Sequence, residues 1–134
     1  MSAHQYEETT RNIRIAVEPN FLEEQSEPED GKFLWSYHVR IENKSDTAVQ
    51  LLSRYWRITD SQGRVREVRG EGVVGEQPVI EPGGAYEYVS GAPLETASGF
   101  MTGSYRMRTP TGESFEAGIP MFALESPYES RRMH

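Results

Sequence analysis

Gly70, Gly72 and Gly75, in the run GEGVVG, follow the spacing G-x-G-x-x-G. That spacing can lay backbone against a nucleotide pyrophosphate when a buried parallel strand precedes it and a helix N-terminus follows. Neither flank is present. The preceding RVREVR is too charged to be buried on both faces, and the following EQPVIEPGG carries Pro78, Pro82 and two glycines that a helix does not tolerate. The kinase form of the motif fails too, since no lysine strand or catalytic loop follows. Two readings remain. The glycines can adopt turn or bulge dihedrals closed to other residues, with Val73 and Val74 plugging the core or presenting a small apolar surface. Alternatively, the loop can aim several N–H groups at an anion such as pyrophosphate. The structural reading is the preferred one. Arg64, Arg66 and Arg69 lie just upstream and could steer an acidic partner, although alternation puts Arg64 and Arg66 on one face and Arg69 on the other.

Other residue types capable of chemistry do not assemble into a set. His4, His38 and His134 stand in no ligand spacing, and the chain has no cysteine, so disulfides and thiolate metal sites are excluded. The acidic run Glu23 to Gly31 offers oxygen ligands but matches no calcium-loop pattern, and it reads as a solvated loop. No nucleophile elbow or serine–histidine–acid set can be picked out. The expectation is therefore a chain with no catalytic residues, no metal site and no cofactor. Arg54, Tyr55 and Trp56 could form a recognition cluster. Trp56 reads better as a core residue, and Tyr55 stays open.

Period-two patterning must position these residues. Ile13, Ile15 and Val17 share a face, as do Trp35, Tyr37, Val39 and Ile41. TAVQLLSRYWRITD is a third strand with Leu52, Arg54, Trp56 and Ile58 on one face. An arginine there requires either a bulge or a carboxylate partner. RVREVR is a short strand whose charges suit a sheet edge. Strands follow in IEPGGAYEYVSG, in GFMTGSYRMRT with Met101, Tyr105 and Met107 on one face, and in SFEAGIPMFAL, where Pro120 fits only an edge or a bulge. Seven or eight such strands point to a single all-β antiparallel sandwich. Its core runs from about residue 12 to 124, with mobile tails at 1–10 and 126–134.

Composition narrows the function classes. The 134 residues suit one domain, and a net charge of −7 argues against a nucleic-acid binder. Met1 to Thr10 holds no signal-peptide core, and no apolar run approaches membrane-spanning length, so a cytoplasmic protein with no membrane partner is expected.

VQLLSRYWRITD, GEGVVGEQPVIEPG, YEYVSGAPLET, GFMTGSYRM and IPMFAL, in that order, resemble the ApaG (CorD) family. The resemblance covers about Asn12 to Leu124 and implies a fold similar to fibronectin type III. It also implies an association with cobalt tolerance and magnesium efflux. Similar domains attached to an F-box ubiquitin-ligase subunit and to a polymerase-delta-interacting protein imply protein–protein binding. The family's glycine motif maps onto Gly70, Gly72 and Gly75, with a suggested nucleotide or pyrophosphate role. The expected function is a non-enzymatic binding module that contacts a protein partner through Gly70, Gly72, Val73, Val74, Gly75, Arg64, Arg66 and Arg69. The alternative is a phosphate-containing small molecule at the glycine loop.

Overall fold

The computed structural model describes residues 5–128; His4 and His134 lie outside them. Nine strands occur among these residues: β1 (Tyr6–Thr10), β2 (Ile13–Phe21), β3 (Phe33–Asn43), β4 (Val49–Asp60), β5 (Val65–Glu71), β6 (Val79–Ile80), β7 (Ala85–Leu94), β8 (Gly99–Arg108) and β9 (Ser114–Leu124). One sheet has the order β1-β2-β3-β7. The other has the order β5-β4-β8-β9, with β6 beside β4. All pairings are antiparallel. The two sheets form the expected sandwich. Among the described residues no helix is long and apolar enough to cross a membrane.

Alternation decides which side chains meet between the sheets. Ile13, Ile15 and Val17 of β2 and Trp35, Tyr37, Val39 and Ile41 of β3 are buried, and Met101, Tyr105 and Met107 of β8 face them. At the centre the Tyr37 and Trp56 rings stand edge-on, 5.2 Å apart, and Phe122 lies 5.9 Å from each. Aromatic pairs of this kind add about 1 kcal/mol each beyond the area they bury.

β4 departs from its expected pattern. A register shift between Leu51 and Ser53 inserts a bulge. Val49 and Leu51 point inward before it, and Arg54, Trp56 and Ile58 after it. Leu52, expected on the apolar face, is therefore only half-buried. In β9 the register against β8 shifts near Pro120, on a strand that also ends its sheet.

Both ends of the described residues are more ordered than expected, while the rest of the two tails, 1–4 and 129–134, lies outside those residues. Tyr6–Thr10, read as part of a mobile tail, is strand β1, because its backbone pairs with β2 from Val17 to Ile13. Ser126 and Tyr128 are also docked. The Trp35 indole donates to the Glu125 carbonyl at 2.8 Å, the Ser126 hydroxyl donates to the Ala97 carbonyl at 2.7 Å, and Tyr128 packs edge-on against Phe21 and Phe33.

Candidate functional site

GEGVVG begins inside β5. Gly70 lies across from Arg54, and a Cβ on it would stand 2.7–2.9 Å from the Arg54 guanidinium. The missing side chain is the room that the guanidinium fills. Arg54 Nη1 donates to the carbonyls of Glu71 (3.1 Å) and Gly72 (2.8 Å). The bulge moves Leu52 off the apolar face but leaves Arg54 on it with Trp56 and Ile58, so neither explanation offered by sequence holds: the guanidinium's partners are backbone carbonyls rather than a carboxylate.

The rest of the motif is a turn. Gly72 has φ 64°, and a Cβ there would fall 2.2 Å from the Glu76 carbonyl oxygen. The Val73 amide donates to the Glu76 carbonyl at 2.8 Å, and the Glu76 amide donates back at 2.9 Å. Between them Val74 and Gly75 have φ 42° and 82°. Two central residues at positive φ, closed by a reciprocal bond pair, make the hairpin connection of type I′. Val73 is fully buried and plugs the core, while Val74 is 58% exposed at the tip. The amides of Gly72, Val73 and Glu76 are all engaged by carbonyls of the chain itself. An anion at this loop would have to do without those three donors.

The structure also separates the arginines. The seven residues of β5 span about 20 Å, and Arg64 and Arg66 sit at the end away from the glycines. Arg69 is near them but turns to the outer face. There it stacks 4.6 Å over the Tyr55 ring, whose hydroxyl donates to Glu67 at 2.6 Å. The split that alternation implied is thus present, and of the three arginines only Arg69 stands near Gly70–Gly75.

Arg64 and Arg66 instead border a groove of about 550 Å³ at the far end of the sandwich, between the two sheets. Phe33, Leu34, Ile58, Pro93 and Leu94 give it an apolar floor, and Lys32, Asp60 and Glu95 share its rim. Arg64 is tied to Asp60 by Nε–Oδ2 contact at 2.7 Å and approaches Glu95 at 3.7 Å. Arg66, paired on β5 with Ile58 of β4, makes no ion pair or side-chain hydrogen bond among the described residues. Asp60 also accepts from the amides of Gln62 (2.9 Å) and Arg64 (3.0 Å). Desolvation works to raise its pKa, but these bonds and the Arg64 charge prevail and hold it below the usual carboxylate value.

Sequence reading found Arg64 and Arg66 but not the groove they border. The floor comes from three separated segments, near residues 33, 58 and 94, and no local pattern links them. Among the described residues no group of three or more His, Asp or Glu is placed to hold a metal ion. The outer face of the first sheet carries an ion-pair ladder. Arg14 binds Glu7 (2.6 Å) and Glu42 (3.2 Å), Arg40 binds Glu42 (2.7 Å) and Glu87, and His38 Nε2 meets Glu87 at 2.7 Å.

A family model described as the ApaG domain matches residues 23–109. Protein ApaG of Rhodospirillum centenum is 59% identical over 127 residues, covering 95% of this chain and 98% of its own. Protein ApaG of Parvibaculum lavamentivorans is 54% identical over 129 residues, covering 96% and 99%. The crystal structure of a Bordetella pertussis protein described as ApaA superposes with a TM-score of 0.83 at 42% identity, covering 91% of this chain and 96% of that one.

Proposed function

This chain belongs to the ApaG family, and on that premise we propose that it is a non-enzymatic recognition module. Its contact surface is the groove bordered by Lys32, Arg64 and Arg66, and its ligand is a protein segment in which acidic residues flank apolar ones. The observation that carries this reading is an apolar floor beside an unpaired arginine, on a chain of net charge −7. With Arg64 engaged by Asp60 and Glu95, Arg66 is the rim cation left to attract a complementary charge and set its register, while the floor supplies the apolar contact. Asp60 supports recognition over catalysis. Bonded to two amides and a guanidinium, it is an ionised fixture of the turn and unsuited to exchanging protons near neutral pH. Cobalt tolerance and magnesium efflux, the traits that the family resemblance implies, are on this reading downstream of a cytoplasmic partner contact.

A random peptide library displayed against the protein tests the proposal. Enriched sequences are expected to place Asp or Glu beside Leu, Phe or Ile, and to lose binding to Arg66→Glu. Enrichment of basic sequences, or indifference to Arg66→Glu, would contradict it.

Val74 supports a second reading. A β-branched residue at positive φ is a backbone outlier, and such strain gathers at functional positions. Exposed at the turn tip, Val74 could be a small apolar contact in its own right. Replacing it with asparagine, which suits the turn, separates the readings: loss of partner binding would assign the contact to the tip.

A further inference from the structure

Among the described residues β1 and β7 end one sheet, and β9 and β5, with the two-residue β6 following β5 along β4, end the other. Open edges invite pairing with another chain, and proteins blunt them. β1 and β9 shield each other, with the Gly118 amide donating to Thr10 Oγ1 at 3.2 Å and the Tyr6 ring 6.2 Å from Phe122. β5 is lined with arginine and glutamate.

β7 has neither protection. The Asn43 amide donates to the Gly84 carbonyl, and bonded pairs alternate along an antiparallel ladder. Tyr86, Tyr88, Ser90, Ala92 and Leu94 therefore bond to β3. Ala85, Glu87, Val89, Gly91 and Pro93 turn their backbone groups outward, and all five residues are exposed. The single charge among them, Glu87, is already matched by Arg40 and His38 of β3. Val89, at the middle, is 58% exposed.

We propose that β7 pairs antiparallel with β7 of a second copy of this chain, across a twofold axis at Val89. Residue identities select both the occupant and the register. Centring on Val89 sets the two valines together, Glu87 against Gly91, and Ala85 against Pro93. Centring on Glu87 would oppose two carboxylates, and centring on Gly91 would oppose Glu87 and Glu95. Centring on Tyr88 or Ser90 would leave each valine opposite a carboxylate or a glycine. In the Val89 register the central pair and both Glu87–Gly91 pairs exchange bonds in both directions. Each Ala85–Pro93 pair makes one, because proline has no N–H. The product is a continuous eight-stranded sheet with isologous symmetry. It rests on backbone pairing along β7 rather than on the groove proposed above, which it meets at Pro93.

The chain has no cysteine, so single cysteines report the contact cleanly. Bonded antiparallel partners have Cα atoms about 5.5 Å apart, within disulfide reach. Under mild oxidation Val89→Cys is expected to form a disulfide dimer as the main product. Gly91→Cys, whose twin would lie roughly 14 Å away along the strand, should stay at the background of the exposed control Val79→Cys. In sedimentation equilibrium the wild type should show a concentration-dependent dimer. Val89→Pro removes an outward N–H that β3 does not use, and should weaken that dimer at least about tenfold with an unchanged circular dichroism spectrum. A wild type that stays monomeric at millimolar concentration, with Val89→Cys cross-linking no faster than Val79→Cys, would overturn the proposal. Faster cross-linking at Gly91→Cys than at Val89→Cys would overturn the register.

Discussion

The two ends of β5 were built by opposite means. At the Gly70–Gly75 end, backbone dictates everything: a guanidinium fills the place of one side chain, a carbonyl forbids another, and a buried valine locks the turn to the core. At the Arg64–Arg66 end, side chains dictate. Apolar residues from three segments leave a groove unfilled, and Arg66 stands on its rim with no ion pair among the described residues. The difference teaches that a motif rich in glycine can be a folding device, while the nearby surface with chemistry to offer carries no motif at all.

The contrast predicts which substitutions should harm the fold and which should harm binding only. Gly72→Val comes first. A β-branched side chain at φ 64°, aimed at a carbonyl 2.2 Å away, should destabilise by roughly 3 kcal/mol or more. Thermal unfolding followed by circular dichroism should then show a midpoint lowered by on the order of 10 °C; a shift of a degree or two would break the account of the loop. Val73→Ala empties a fully buried site and should cost about 2 kcal/mol in urea titration, with an unchanged slope. Val74→Asn has the opposite sign. It creates the Asn-Gly pair that type I′ turns favour and should add about 0.5–1 kcal/mol of stability.

At the other end Arg66→Glu should leave the unfolding midpoint within about 2 °C, because surface changes without partners move stability by only about 0.5 kcal/mol. Its effect should appear in peptide binding alone. A substantial loss of stability would place Arg66 in the fold and erase the contrast.

The ion-pair ladder gives a smaller effect. Hydrogen bonds and charge from Arg14 lower the Glu7 pKa, Arg40 leads the lowering at Glu42, and His38 leads that at Glu87. Carboxylates with depressed folded pKa values contribute stability that is fully present above their ordinary value of 4.5. That stability is lost as pH falls from there through the folded values. The midpoint should therefore decline with acidification below that pH, and less steeply in Glu42→Gln. Parallel profiles would show that the ladder contributes nothing.

Much of the fold could be read from residue types because alternation is a local signal. Ile13, Ile15 and Val17 name their own buried face, and RVREVR names its own edge. The β4 face was misread at Leu52 because a one-residue bulge leaves no mark in composition. β1 was missed because Tyr6–Thr10 is polar, and its strand comes from pairing with β2 rather than from its own pattern. The site was less legible still. The glycines were rightly denied a helix, but Arg54's dependence on Gly70 needs the β4–β5 register, and the groove needs residues some sixty positions apart.

The most direct measurement is an amide-resolved NMR titration of the labelled protein. One arm uses an acidic peptide of the type Asp-Asp-Leu-Phe-Asp-Asp, and a second uses pyrophosphate. This account predicts peptide-dependent shifts at Lys32, Phe33, Arg64, Arg66 and Leu94, with Gly70 to Glu76 still in both arms. Shifts centred on Gly72 to Gly75, in either arm, with the groove amides unmoved, would contradict it.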